Sequence, residues 1–179
     1  SEINDAKSYL NSRVNSQKIV SLILGGPNKY YNFDEGQLIK VFNEVRFNFI
    51  NKGFKIIVIP SMRTPKSIID LAKKEFDNDG CVLNYIDKKA YLSALALANY
   101  IVVTSDSTSM ISESATSGKP IFIAHMKPKK NNYRFKKFYK LFNELGITRD
   151  LGKKVENWNY NKLNEAERIA LIIKNKLKN

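Results

Sequence analysis

Short apolar runs alternate with amphipathic stretches along most of this chain. The runs are rich in Ile, Val and Leu and show no alternation with polar residues, which is typical of strands covered on both faces of a sheet. The predicted strands are Lys18–Leu24, Lys55–Pro60, Tyr100–Val103 and Pro120–Ala124, with a shorter candidate at Cys81–Asn84. Five buried strands of this kind indicate a sheet that lies inside the protein.

The stretches between the strands carry apolar residues three or four positions apart and therefore predict helices. The predicted helices are Ile3–Ser12, Glu35–Asn51, Pro65–Phe76, Tyr91–Ala98, Thr108–Ser117, Tyr133–Leu145 and Asn164–Leu177. Because strands and helices alternate without hairpin signals, the pattern predicts an α/β fold with a doubly wound, mostly parallel, Rossmann-like sheet. We expect a lead-in helix and linker over residues 1–16 and one domain over residues 17–179.

The composition agrees with a folded domain that has a full core. The chain has 179 residues, of which 43% are hydrophobic and 11% aromatic, and this excludes a disordered protein. It shows no secretory signal, and no apolar run approaches the roughly 18 residues that span a bilayer. Cys81 is the only cysteine and is predicted to be a small buried core residue; His125 is the only histidine. We therefore predict no disulfide and no metal centre, and a cytoplasmic location with peripheral membrane association as the alternative.

Positive charge is the other strong feature of the composition. The formal net charge is +13 and the isoelectric point is near 9.7, which implies attraction to phosphate, nucleic acid or an anionic membrane surface. Many of the lysines are scattered over predicted helix faces, as biased genome composition would also produce. The chain has no zinc-finger spacing and no aromatic RNA-binding strand, so nucleic acid is not an expected partner.

Ligands of open parallel sheets bind at the carboxyl ends of the strands, so the turns there are candidate sites. After the first strand, Gly25 and Gly26 allow close backbone approach, although a tight turn explains this pair equally well. After the second strand, the guanidinium of Arg63 is placed to hold a phosphate, or to form a surface ion pair. The candidate ligand-binding residues of these two turns are Gly25, Gly26, Asn28, Lys29, Arg63 and Thr64.

The turn after the third long strand has more hydroxyl groups than a turn needs. Ser107 or Thr108 is expected to cap the following helix and Asp106 to brace the turn. The remaining hydroxyls at a positive helix end predict a site for an anionic ligand. Glu113, one helical turn further on, is placed to accept hydrogen bonds from a ribose diol, or is an ordinary acid of the first turns. The candidate residues here are Ser105, Asp106, Ser107, Thr108, Ser109 and Glu113.

A basic helix follows the last strand. Phe135, Phe138 and Phe142 share one face, which packing explains better than a cofactor site does. The opposite face is either simply solvated or rests against acidic lipid headgroups. The residues of this candidate membrane or acceptor surface are Arg134, Lys136, Lys137 and Lys140.

These motifs occur in an order that resembles the mitochondrial-fission ELM-type family over nearly the whole chain. They are Gly25–Tyr30, Ser61–Pro65, Val102–Glu113, Gly118–Pro120 and the helix from Arg134 to Gly146. Plant members of that family are linked to recruiting a dynamin-related protein to mitochondria. The family is similar to GT-B glycosyltransferases, in which two Rossmann-like domains clamp a nucleotide sugar, and this chain resembles the C-terminal, donor-binding half.

The resemblance implies roles for several residues. Glu113 would hold the ribose, the segment Ser107–Ser109 would face the diphosphate, and Gly25, Gly26 and Arg63 would line the cleft between the domains. A glycine usual near Ser107 in well-characterised GT-B enzymes is absent here. Inverting members commonly take their general base from the N-terminal domain, which this chain lacks, so we assign no catalytic residue and expect the isolated half to be inactive.

Three functions are compatible with this pattern. The first is a glycosyltransferase that uses no cofactor and binds a nucleotide-diphosphate sugar as substrate. Its expected partners are the missing N-terminal domain and an anionic membrane surface or a lipid-linked acceptor. The second is a membrane-associated adaptor without catalysis, and the third is a nucleotide-sugar epimerase. We favour the first because a hydroxyl cluster at a strand end serves a ligand better than it serves a scaffold.

Overall fold

The computed structural model describes residues 7–16, 18–152 and 154–163, which form one six-stranded sheet with helices on both faces. The helices are α1 (Lys7–Val14), α2 (Glu35–Asn48), α3 (Lys66–Phe76), α4 (Lys88–Leu97), α5 (Thr108–Ala115) and α6 (Tyr133–Glu144). The strands are β1 (Ile19–Leu24), β2 (Lys55–Pro60), β3 (Gly80–Val82), β4 (Tyr100–Thr104), β5 (Ile121–Ala124) and β6 (Thr148–Asp150).

The strand order is β3-β2-β1-β4-β5-β6, and all neighbouring strands pair in parallel. The chain winds outward from β1 to β3 and then crosses back to place β4 on the other side of β1. This reversal creates a topological switch point between β1 and β4, where the loops after the two strands diverge and leave a crevice. The predicted doubly wound, Rossmann-like fold is therefore confirmed.

Each face of the sheet has its own hydrophobic core. Val102 and Phe122 point to the face covered by α2 and α3, whereas Ile101 and Val103 point to the face covered by α1, α4 and α5. Every residue of β1 is buried. Burial on both faces explains why the strands read as continuous apolar runs with no polar alternation.

The predicted elements within the described residues agree with the structure except at a few boundaries, and the structure adds β6, which the sequence did not predict. The helix expected to reach Asn51 ends at Asn48 and continues as a short 3-10 turn over Ile50–Lys52, before Gly53 adopts a positive φ of 83°. The short third strand is Gly80–Val82, and Cys81 is half-buried against the core instead of fully buried. The helix predicted at Asn164–Leu177 lies outside the described residues.

The first helix packs firmly against the domain. Leu10 of α1 is fully buried, and its backbone N–H donates to Oγ of Ser93 on α4 at 3.1 Å. The Tyr9 hydroxyl donates to the Asp87 carboxylate at the start of α4. The helical part of the segment predicted as a lead-in is thus a packed component of one face of the sheet.

Candidate functional site

Asp106 is at the centre of the carboxyl edge of the sheet, in the turn between β4 and α5. Its side chain is 0% exposed. Oδ2 accepts hydrogen bonds from the Gly26 N–H at 2.9 Å and from Nη2 of Arg63 at 3.0 Å, while Oδ1 accepts from the Thr104 hydroxyl at 2.7 Å. The buried carboxylate therefore ties together the turns that follow β1, β2 and β4.

The glycine pair after β1 is required by this close packing. A Cβ on Gly25 would lie 2.0 Å from Oδ2 of Asp106, and a Cβ on Gly26 would lie 2.1 Å from the Arg63 carbonyl oxygen. Neither glycine has a positive φ, so space and not backbone conformation excludes a side chain. The sequence predicted that these glycines approach a ligand, whereas in the structure they approach protein atoms.

Arg63 and Thr64 also face inward. Nη1 of Arg63 donates to the Gly26 carbonyl at 2.7 Å, although 40% of the side chain remains exposed. The Thr64 hydroxyl is buried and donates to the Gly25 carbonyl at 2.5 Å. The guanidinium thus holds the turn after β1, and only its exposed part is open to a ligand.

The hydroxyl-rich turn divides into internal and free groups. Ser105 is buried and its Oγ accepts from the Met126 N–H at 2.8 Å, while Ser107 caps α5 by accepting from the Met110 N–H at 3.4 Å. Within the described residues, neither the hydroxyls nor the backbone N–H groups of Thr108 and Ser109 make a hydrogen bond. The first turn of α5 therefore retains two hydroxyls and two N–H donors that the fold does not use.

The loop after β1 is partly fixed and partly exposed. Nδ2 of Asn28 donates to the Asp106 carbonyl at 2.9 Å, and its Oδ1 accepts from the N–H groups of Tyr30 and Tyr31. Lys29 is exposed, with its Nζ 5.1 Å from the centroid of the Tyr30 ring. Nζ of Lys130, from the loop after β5, is 5.2 Å from the same centroid. Two ammonium groups consequently surround one aromatic ring at this edge.

An open cleft of about 610 Å³ lies between the start of α5, the loop after β1 and the start of α6. Thr108 lines it from α5 and Tyr30 from the loop after β1. The remaining lining residues are Asn131, Asn132, Tyr133, Arg134, Phe135 and Phe138. The cleft thus joins free donors of a helix N-terminus to a wall of aromatic, amide and guanidinium groups.

A chain of hydrogen bonds supports this wall. Nδ2 of Asn132 donates to the Tyr31 hydroxyl at 2.6 Å, the Tyr31 and Tyr139 hydroxyls are 3.1 Å apart, and the Tyr139 hydroxyl donates to the Ser105 carbonyl. Burial, followed by the hydrogen bond to Tyr31, raises the pKa of Tyr139 well above its usual range, so the hydroxyl stays protonated as a donor. Asn132 is 6% exposed, and its buried Oδ1 has no partner among the described residues.

Glu113 is exposed on α5, one turn after Ser109. Burial, followed by the charge of the Glu113 carboxylate, raises the pKa of the Tyr91 hydroxyl on α4. The Tyr91 hydroxyl is buried without a hydrogen-bond partner among the described residues. Glu113 is outside the residues that line the cleft, on the side of α5 that faces α4.

The basic residues of α6 fall into two groups. Arg134 lines the cleft, whereas Lys136, Lys137 and Lys140 border a neighbouring exposed surface. On the inner face of α6, Phe142 is buried and the rings of Phe138 and Phe142 are 4.1 Å apart. The aromatic residues therefore pack on the domain, in agreement with the packing explanation of their spacing.

Asn132, Tyr31 and Tyr139 are site residues that sequence reasoning missed. Tyr31 follows β1, whereas Asn132 and Tyr139 lie at the start of α6 and within it, and no sequence pattern links the two stretches. Across the described residues, no three His, Cys, Asp or Glu side chains gather where they could hold a metal ion. In that same part of the chain, no helix has the length and apolar character needed to cross a membrane.

The sheet order, the switch point and the polar edge around Asp106 define a Rossmann-like α/β domain. The sequence identifies the family more closely, since residues 1–177 match the family described as Mitochondrial fission ELM1. The chain belongs to this family.

Two curated relatives are longer than this chain. An uncharacterized protein of Rickettsia prowazekii (strain Madrid E) is 32% identical over 171 residues, which cover 90% of this chain and 48% of the relative. Mitochondrial fission protein ELM1 of Arabidopsis thaliana is 27% identical over 148 residues, which cover 78% of this chain and 34% of that protein. The chain therefore spans half or less of the length of these relatives.

Two solved structures show similarity in fold at low sequence identity. The UDP-GlcNAc 2-epimerase from Neisseria meningitidis, bound to UDP-GlcNAc, has a TM-score of 0.45 and 12% identity, with 96% of this chain and 40% of the epimerase covered. The wall teichoic acid polymerase TagF has a TM-score of 0.36 and 13% identity, with 68% of this chain and 28% of the polymerase covered.

Proposed function

We propose that this domain binds a nucleotide-diphosphate sugar at the carboxyl edge of its sheet, as the donor-binding half of a glycosyltransferase. The observation that carries this proposal is the first turn of α5. Two hydroxyls and two N–H groups there, from Thr108 and Ser109, have no hydrogen-bond partner among the described residues, and Thr108 lines an open cleft beside the switch point. Every α-helix has unpaired N–H groups in its first turn, but the two hydroxyls are additional donors that capping by Ser107 does not use.

The diphosphate is the part of such a ligand that fits the start of α5. Helix N-termini bind anions because their free N–H groups and the helix dipole both favour negative charge. Arg134 lines the same cleft, and Lys29 and Lys130 lie near Tyr30 on its wall. The buried Asp106 network keeps the turn rigid, so these donors need little reorganisation when an anion binds.

The ribose position of the proposal rests on Glu113. Ser109 and Glu113 are four residues apart and therefore lie on one face of α5. A ribose bound beyond the diphosphate would donate its hydroxyls to the Glu113 carboxylate. This orientation runs the nucleotide along α5 toward α4 and leaves the sugar near the cleft wall formed by Asn131 and Asn132.

Catalysis on this proposal consists of holding the donor and stabilising the departing diphosphate. The hydrogen bonds from the start of α5 and the attraction of the nearby cations would strengthen as negative charge develops on the leaving group. No metal is obligatory for this step. The acceptor and its general base would come from the N-terminal half, which lies outside this chain.

Thermal unfolding in the presence of UDP, UDP-sugars, GDP-sugars and inorganic phosphate tests the proposal. A bound nucleotide at a hundredfold excess over its Kd adds ~2.7 kcal/mol to the free energy of unfolding. We expect a nucleotide sugar to raise the melting temperature, and Ser109→Ala to weaken that ligand about tenfold because a hydrogen bond to charged phosphate is lost. No shift with any nucleotide would contradict the proposal.

Ser67→Ala is the matched control. Ser67 is the exposed second residue of α3, as Ser109 is of α5, so the two changes perturb a helix start equally. We expect Ser67→Ala to leave nucleotide binding unchanged. Equal losses from Ser67→Ala and Ser109→Ala would remove the start of α5 from the site.

A binding module without catalysis is the second candidate function. The ion pair between Arg63 and Asp106 favours this function, because it occupies two charged side chains that could otherwise act on a substrate. A protein containing both halves distinguishes the two candidates. A glycosyltransferase would consume a bound nucleotide sugar and release nucleoside diphosphate, whereas an adaptor would bind the nucleotide sugar and leave it intact.

A further inference from the structure

The outer surface of α6 combines exposed apolar groups with lysines. This surface, the α6 outer surface, consists of Tyr133, Lys136, Lys137, Lys140 and Leu141. Tyr133 is 69% exposed and Leu141 is 50% exposed. Tyr133, Lys137 and Leu141 are spaced by four residues and form one stripe, with the other lysines beside it.

The inner surface of the same helix is already occupied. Phe138 and Phe142 pack against the core under the sheet, and the Tyr139 hydroxyl donates to the Ser105 carbonyl. Packing of α6 therefore does not explain the exposed Tyr133 and Leu141. The α6 outer surface is a fixed surface of the folded domain and needs no detachment of the helix to present its apolar groups.

The charge of the α6 outer surface determines which kind of partner it can bind. Its three lysines are accompanied by one acid, Glu144, which lies 3.7 Å from Nζ of Lys140 in an exposed pair that contributes little. A second copy of the chain would bring lysines against lysines across a two-fold axis, which is unfavourable. Apolar side chains flanked by lysines match a bilayer whose headgroups are acidic, because the lysine stems lie along the apolar layer and their ammonium groups reach phosphate.

We propose that the α6 outer surface docks on an anionic lipid bilayer, with Tyr133 and Leu141 entering the headgroup layer and Lys136, Lys137 and Lys140 contacting lipid phosphates. Tyr133 also lines the cleft at the start of α5. Docking would therefore hold the cleft at the membrane surface. Resting on the proposed function, this position indicates that the sugar acceptor is a membrane-resident, lipid-linked molecule.

Co-sedimentation of the 179-residue chain with vesicles tests the docking surface. We expect binding to phosphatidylcholine vesicles that contain phosphatidylglycerol and much weaker binding to pure phosphatidylcholine. Replacing all three lysines, Lys136, Lys137 and Lys140, with Gln should reduce binding on the order of a hundredfold, because each basic residue near an anionic surface contributes a comparable share of the binding free energy. Leu141→Ser should reduce it about tenfold through lost apolar burial.

Matched controls distinguish vesicle binding through the α6 outer surface from binding through the overall positive charge of the chain. Replacing Lys40, Lys52 and Lys74 with Gln changes the net charge by the same amount on exposed positions elsewhere. Phe47→Ser removes another exposed apolar side chain, on α2. We expect both controls to bind vesicles like the parent. Equal losses in the two triple variants, or unchanged binding in the α6 triple variant, would overturn the proposal.

Two further readouts distinguish the alternatives. Binding to soluble polyglutamate as tight as binding to vesicles, with no effect of Leu141→Ser, would assign the surface to an acidic protein partner and overturn the lipid proposal. The nucleotide-induced thermal shift should be unchanged in the α6 triple variant, because its lysines lie outside the cleft. Vesicle binding without any nucleotide shift would retain the docking surface and contradict only the donor-site function.

Discussion

At the scale of single residues, the pair Arg63 and Asp106 determines how the carboxyl edge is built. Their charged atoms are 3.0 Å apart across 43 positions of sequence, and Asp106 is completely buried while Arg63 is partly exposed. Both residues follow strand ends, so the sequence indicates that each belongs to the edge. Their pairing depends on the β1–β2 and β1–β4 neighbours in the sheet, which local patterns do not define.

Removing the guanidinium should destabilise the fold even without a ligand. Arg63→Met leaves the buried Asp106 carboxylate with two hydrogen-bond donors instead of three, and we expect a loss of about 1–3 kcal/mol in the free energy of unfolding. In a double-mutant cycle with Asp106→Ala, the two losses should be non-additive. Urea denaturation of the four proteins measures these quantities.

The exposed pair Lys66 and Asp70 supplies the control, since its atoms are close but largely solvated. Lys66→Met should cost less than about 1 kcal/mol. If Arg63→Met were no more costly than Lys66→Met, the Asp106 network would not be the brace of this edge.

At the scale of elements, most of the sheet follows from periodicity, and the exceptions have physical reasons. β6 was not predicted because Thr148-Arg149-Asp150 is a three-residue edge strand in which every residue is polar, and only pairing with β5 makes it a strand. Cys81 is less buried than predicted because β3 is the opposite edge strand. Edge strands lack the second neighbour that gives central strands their apolar sequence signature.

The position of the candidate site, like the sheet, was predictable from the sequence in part. Strand ends and the hydroxyl cluster located the edge, and the start of α5 at Thr108 was predicted correctly. The hydrogen bonds that join Tyr31 to Asn132 and Tyr139 were not predicted, because bonds between a loop and a helix about 100 residues away leave no periodic signal. The sequence does not distinguish the free hydroxyls of the turn from those that make internal hydrogen bonds, because the difference depends on tertiary neighbours such as Met126.

The first helix yields a prediction at this scale. Leu10 is fully buried between α1 and α4, so Leu10→Ala should lower the free energy of unfolding by about 2–5 kcal/mol through lost burial and the cavity left behind. Leu141→Ala, on an exposed part of α6, should change it by less than about 0.5 kcal/mol. Denaturant unfolding compares them, and similar values for both would mean that α1 is not an integral part of the domain.

At the scale of the whole molecule, two surfaces of different chemistry lie next to each other. The cleft at the start of α5 offers free donors and cations beside the switch point, and the α6 outer surface offers exposed apolar groups with lysines; Tyr133 belongs to both. The net charge of +13 fits two anionic partners, a phosphorylated ligand and an acidic membrane. Together, the two proposals describe a domain that presents a nucleotide-sugar donor to an acceptor held at a bilayer.

Backbone amide NMR of the chain titrated with UDP- and GDP-sugars tests most directly whether the carboxyl edge is the ligand site. We predict that one of these nucleotide sugars moves the amide signals of Thr108 and Ser109 in a saturable manner, while Lys18 and Asn99 at the amino ends of β1 and β4 remain unchanged. Unmoved Thr108 and Ser109 signals at millimolar nucleotide sugar, or shifts confined to the amino edge, would contradict the proposed site.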